Sequence, residues 1–176
     1  GNTVLWEQLL SFIASKEILT DCSKILGWQD SFPNHPLFYL FSGLASNQTQ
    51  KAGEATQILK EGLKRVKNNP DLELDFYTNL GEAYYNIKDY KQSDYYFELV
   101  LTRQPDNLYV INNSVITIVK IRKTGDAESI SKKPILAEPN NDTYLDTYAW
   151  ILYKLKRYDD ALYYIKKALE KGGAES

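Results

Sequence analysis

Residues 79–97 read NLGEAYYNIKDYKQSDYYF, and residues 147–165 read TYAWILYKLKRYDDALYYI. The two segments share one pattern. Tyr77, Leu80, Gly81, Tyr84, Tyr90, Ser93, Phe97 and Val100 stand where Leu145, Tyr148, Ala149, Leu152, Tyr158, Ala161, Ile165 and Ala168 stand 68 residues later, twice 34. A period of 34 demands another copy halfway, and Ile111, Val115, Ile118, Ala127 and Pro139 fall where it belongs. A fixed period of this length marks a repeat architecture, in which each unit buries one face internally and leaves the other for its neighbour.

Within each copy the apolar residues recur at helical spacing, first Tyr77, Leu80, Gly81 and Tyr84, then Ser93, Tyr96, Phe97 and Val100. That rhythm belongs to a pair of amphipathic helices and not to strands. Small residues at Gly81, Ser93, Ala149, Ala161 and Ala168 let paired helices approach closely, while rings such as Tyr84 and Phe97 fill the space beside them. Tyr77, Tyr84, Tyr90, Phe97, Tyr148, Tyr158 and Trp6 are all expected on the repeat core. Pro70-Asp71, Pro105-Asp106 and Pro139-Asn140 are expected to stop one helix and offer a cap for the next.

Upstream the copies loosen. Tyr39, Gly43, Ala55, Leu59 and Gly62 make a unit with extra residues expected around Asn47 to Gly53, and Trp6, Leu9, Leu10, Ile13, Cys22 and Leu26 make the first. In the unit from Leu108 to Asn141, Ser131 holds the aromatic position and Pro134 the small one. An interior proline loses a backbone bond and clashes with the carbonyl four residues back, so the second helix is expected to kink or break near Ile130.

These positions resemble the tetratricopeptide repeat, whose pattern sets an aromatic, Leu-Gly and Tyr on one helix, then small, aromatic and small residues and a Pro on the next. The last two units are further similar to the terminal repeats of such proteins common in Bacteroidetes. The resemblance implies an all-α right-handed superhelix of about five stacked hairpins, one solenoid domain over residues 1–176 with units near 3–35, 36–73, 74–107, 108–141 and 142–173. The chain starts at Gly1, contains no Met, and reaches Lys171-Gly172-Gly173 with no polar capping helix after it. It therefore reads as a piece of a longer repeat array whose own N-terminus, with any export or lipoprotein signal, is missing, and its compartment stays open.

Composition narrows the chemistry. Lys and Arg number 21 against 23 Asp and Glu, a formal charge of −2, so there is no basic field to hold nucleic acid or anionic lipid. No run approaches the ~20 apolar residues of a membrane span. One Cys and one His give neither a disulfide nor a metal-ligand pattern, and no phosphate loop or nucleophile elbow is present. Neither an enzyme nor a cofactor is expected.

By the family resemblance, set positions on each first helix line the inner surface of the superhelix. Among the residues there, Tyr85, Tyr109, Asn112, Ile116, Val119, Trp150, Tyr153 and Lys154 are expected to form a groove that holds a partner peptide or helix, the rings serving as apolar anchors. The carboxylate clamp found in some members is not expected, because its basic positions carry Leu40, Asp75, Thr78, Tyr109 and Thr143. A structural alternative is self-association, or docking within a longer chain, through the open end near Ala161 to Ala168.

Overall fold

A computed structural model describes residues 35–121 and 124–172. The unit expected at 3–35, with Trp6 and Cys22, lies outside the described residues. Among those described there are eight helices and no strand: α1 Pro36–Gln48, α2 Ala52–Leu63, α3 Pro70–Asn86, α4 Tyr90–Arg103, α5 Leu108–Lys120, α6 Thr124–Ala137, α7 Asp142–Lys154 and α8 Tyr158–Gly172. The period of 34 is visible in the boundaries. Helices α3, α5 and α7 end at Asn86, Lys120 and Lys154, while α4, α6 and α8 begin at Tyr90, Thr124 and Tyr158.

The chain falls into two compact units, one ending at Lys88 and the other beginning at Asp89. In the first, α1 packs on α2 and α3 packs against both. Phe38, Leu59 and Phe76 are fully buried, and two glycines let them close. A Cβ at Gly43 would run into the Leu59 side chain, and one at Gly62 would overlap Tyr39 and sit 2.7 Å from the Phe76 ring. Arg65 roofs this core, its guanidinium 4.4 Å from the Tyr39 ring centre while one nitrogen pairs with Glu61 at 2.5 Å. Hydrogen bonds from Arg65 and then Lys64 hold the Glu61 carboxyl down to about 2.

In the second unit, consecutive helices from α4 to α8 pack on one another and α5 also touches α7. Ile111, Val115, Ala127 and Ile151 form one buried cluster, and Tyr148, Leu152 and Ala161 another. Where α4 meets α5, Ser93 and Thr117 lie buried with their hydroxyl oxygens 3.2 Å apart. Thr117 already donates to the Asn113 carbonyl, so Ser93 is the donor between them and neither buried hydroxyl is wasted.

Three sequence expectations are corrected. The extra residues are not at Asn47 to Gly53: the α1–α2 turn is Thr49 to Lys51, the same length as the Ile87 to Asp89 and Leu155 to Arg157 turns. Each of those turns places its middle residue, Gln50, Lys88 and Lys156, in the left-handed region with φ of 63°, 66° and 63°. The insertion lies between α2 and α3, where the link runs from Lys64 to Asn69 and α3 gains a turn at its start. Second, Asn residues cap α3, α5 and α7, not the residues after the prolines. Asn69, Asn107 and Asn141 accept from the amides of Leu72, Val110 and Tyr144, and Pro70 is the first residue of α3, where its missing N–H costs nothing.

Third, α6 is not broken near Ile130. The helix continues through Pro134 to Ala137. Pro134 lies in its last turn, so the loss is confined to the single bond to the Ile130 carbonyl, and the Glu138 amide closes the turn on the Pro134 carbonyl at 2.9 Å. The flanking residues are pinned. Lys133 reaches the Pro105 carbonyl at 2.8 Å and Asp106 at 2.6 Å, and Glu128 pairs with Lys132 at 3.1 Å and Arg157 at 2.9 Å.

Candidate partner-binding face

The Asn107 cap starts α5 and the Asn141 cap starts α7, fixing where each helix turns its faces. On α5, spacings of three, four and three put Tyr109, Asn112, Ile116 and Val119 on one side, with Lys120 beside them. Val110, Ile111, Val115 and Thr117 occupy the opposite, buried side. The same arrangement on α7 sets Trp150, Tyr153 and Lys154 away from the buried Leu145, Ile151 and Leu152.

Exposure differs sharply among these residues. Tyr109 is 54% exposed and Tyr153 57%, while Lys154 is also exposed. Ile116, Val119 and Trp150 are half-buried, and Val119 and Trp150 rest on the cluster of Ile111, Val115 and Ile151. Asn112 is only 6% exposed, so it belongs to the floor and not to the rim. Tyr85, on α3, is half-buried and belongs to the other compact unit.

Trp150 is the centre of the face. The ammonium groups of Lys120 and Lys154 each lie 5.5 Å from its ring centre, one from α5 and one from α7. Lys154 is also 5.9 Å from the Tyr153 ring. Neither lysine has a carboxylate partner among the described residues. A cation over an indole is worth about 0.5–1 kcal/mol at such exposed sites, enough to orient the lysine without occupying its charge. Tyr153 in turn meets Tyr158 with ring centres 5.6 Å apart and planes tilted by 58°.

That contact corrects a further expectation. The place of Tyr158 in the repeat predicts a core residue, yet it is 57% exposed. It is the first residue of α8, a turn ahead of Ala161, the first buried residue of that helix. By contrast Tyr84, Phe97 and Tyr148 are buried as expected, and burial pushes the Tyr148 phenol up. The repeat resemblance sets Lys120 among the inner-surface positions of its helix, and the neighbouring helix supplies the Trp150 ring beneath it. Among the described residues no group of three or more His, Cys, Asp and Glu side chains could hold a metal, and no helix is long and apolar enough to cross a membrane.

A sequence model of the tetratricopeptide repeat matches residues 74–107, from the second turn of α3 through α4 to the Asn107 cap. The chain carries a tetratricopeptide repeat over these residues. A TPR repeat-containing protein of Pseudomonas aeruginosa is 27% identical over 134 residues, which take in 76% of this chain. The chain spans only 22% of that relative's length. Among solved structures, MamA from Desulfovibrio magneticus RS-1 superposes with a TM-score of 0.79 at 14% identity, covering 98% of this chain and 96% of that one. YrrB, described as a TPR protein with an unusual peptide-binding site, superposes at 0.69 with 12% identity, covering 91% and 80%. At these identities the likeness to both shows the shared fold, an all-α solenoid.

Proposed function

We propose that this chain is a non-catalytic interaction scaffold that holds a segment of a partner protein against the α5–α7 face. The observation that carries the reading is Trp150, half-buried on the core and flanked by two lysines with no acidic partner among the described residues. Tyr109 and Tyr153 stand exposed on the same two helices. Rigid rings around an apolar base supply contact area at low entropic cost, as peptide hot spots do. Lys120 and Lys154 add a preference for a carboxylate near the apolar side chain that covers Trp150. The likeness to YrrB, a TPR protein described as having a peptide-binding site, supports the same class of partner. The reading also takes the hairpins as one run within a longer array, in keeping with the share of the Pseudomonas relative that the chain spans.

A peptide library displayed against the chain tests it. Selected peptides should carry an apolar residue beside an acidic one, and Tyr109→Ala and Tyr153→Ala should each weaken them about tenfold. Both rings are more than half exposed, so thermal stability should barely move. Trp150→Ala is a poorer test, because the ring also covers the core cluster. Peptides that bind the double tyrosine variant as tightly as the unaltered chain would overturn the reading.

A further inference from the structure

Helix α8 carries two apolar strips. Ala161 and Ala168 are buried towards α7, and Tyr164 beside them meets the Tyr148 ring edge-on at 4.8 Å. Alongside runs a second strip, Tyr158, Leu162, Ile165 and Leu169, at spacings of four, three and four. That rhythm is the seam of a helix that pairs with another helix. The strip is open: Leu162 is 51% exposed and Leu169 71%. Beside it lies a shallow cleft of about 470 Å³, where Ile165 and Leu169 of α8 face Asp142, Thr143 and Asp146 of α7.

The earlier hairpins show what this strip does elsewhere. Ile165 corresponds to Ser131 and Phe97, and Leu169 to Ile135 and Leu101, 34 and 68 residues earlier. Phe97 and Ser131 are buried, Leu101 packs on the cluster of Ile111 and Val115, and Ile135 on that of Tyr148 and Leu152. For Leu101 and Ile135 the cover includes the first helix of the following hairpin, and for α8 no described helix fills that place. Leu162 departs from the pattern. Its counterparts are Asp94 and Glu128, and Glu128 is tied up with Lys132 and Arg157. A leucine at a position that is acidic in the earlier hairpins joins Tyr158 to Ile165 and Leu169 in an unbroken strip of four apolar rungs.

We propose that α8 pairs with α8 of a second copy of this chain, antiparallel across a two-fold axis, independently of any partner on the α5–α7 face. A two-fold contact uses one patch twice. With Leu162 facing the partner's Ile165, the same register sets Tyr158 opposite the partner's Leu169, so all four rungs are matched. Charge agrees with this direction. Asp159 and Lys166 lie on the solvent flank of the strip, and neither has an ion pair among the described residues. Antiparallel pairing brings Asp159 beside the partner's Lys166, and the symmetry makes the contact twice. A parallel pairing would leave the two charges on opposite flanks of the seam, out of each other's reach.

Sedimentation equilibrium of the 176-residue chain tests the pairing. The chain should dimerise at micromolar concentration, and Leu162→Glu should weaken the dimer about tenfold or more. Leu169→Lys should do the same, and circular dichroism should show both variants folded, since both positions are exposed. Asp159→Lys and Lys166→Asp should each weaken the dimer about threefold, and the two together in one chain should restore it. A chain that stays monomeric at hundreds of micromolar, including one whose longer form covers α8 with a further helix of its own, overturns the proposal. So does a dimer indifferent to Leu162→Glu, or one weakened by the charge changes singly and not restored by their combination.

Discussion

One repeat position is Gly62 in the unit ending at Lys88, and Val100, Pro134 and Ala168 in the unit beginning at Asp89. All four are buried. In the first unit the backbone at Gly62 lies so close to Tyr39 and Phe76 that no Cβ fits. In the second the same slot takes a branched side chain, then a proline ring, then a methyl group. The volume is made up by neighbours: Phe76, which closes over Gly62, has Val110 as its counterpart 34 residues on. The repeat thus prescribes where a contact is made, while each hairpin chooses how the space is divided between the two sides.

Exchanging these solutions should fail in both directions. Val100→Gly removes a fully buried side chain and puts glycine inside a helix, and chemical denaturation should show a loss of about 3 kcal/mol. Gly62→Ala should cost about 2 kcal/mol by overpacking, because its Cβ meets the stem of Tyr39 and the edge of a buried ring, neither of which can swing away. If Gly62→Ala were neutral, the close approach in the first unit would be dispensable. Pro134→Ala should have the opposite sign. It restores the bond to the Ile130 carbonyl at the expense of some buried area, and should stabilise the chain by about 1 kcal/mol. The smallest effects belong to a feature the two units share. Lys88→Gly and Lys156→Gly, at left-handed turn positions, should each raise stability by about 0.5–1 kcal/mol, read as a melting-temperature increase.

Acid should act on the first unit through Glu61. Its folded-state carboxyl is depressed to about 2, so its contribution is present above the ordinary carboxylate range and is lost as pH falls from about 4.5 through about 2. Glu61→Gln should flatten that part of the stability profile without removing the rest of it.

The helices and their spacing are legible from Tyr77 onward because helical periodicity is a local signal and two near copies reinforce it. The insertion is harder to place, although the residues that place it are in view. Gly43, Ala55, Leu59 and Gly62 each precede their counterparts Gly81, Ser93, Phe97 and Val100 by 38 residues, so the extra four must follow Gly62. Pro134 misleads for a different reason. The cost of a helical proline depends on how many turns follow it and on what pins its neighbours, and Lys133 and Glu128 find their partners on other elements. For the proposed binding face, the positions carried over from the repeat resemblance put Tyr109, Ile116, Val119, Trp150 and Tyr153 on matching sides of α5 and α7. Which of them are floor and which are rim is set by the adjoining helix. That is why Asn112 is nearly buried and Tyr158, expected inside, joins Tyr153 at the surface.

Nuclear magnetic resonance of the isotope-labelled chain, titrated with a display-selected peptide, tests the binding face most directly. The largest amide shifts should fall on Ile116, Val119, Lys120, Trp150 and Tyr153, with the Trp150 indole N–H among them. Shifts concentrated instead on α4 and α6, with α5 and α7 silent along that face, would contradict the assignment of the partner to the α5–α7 face.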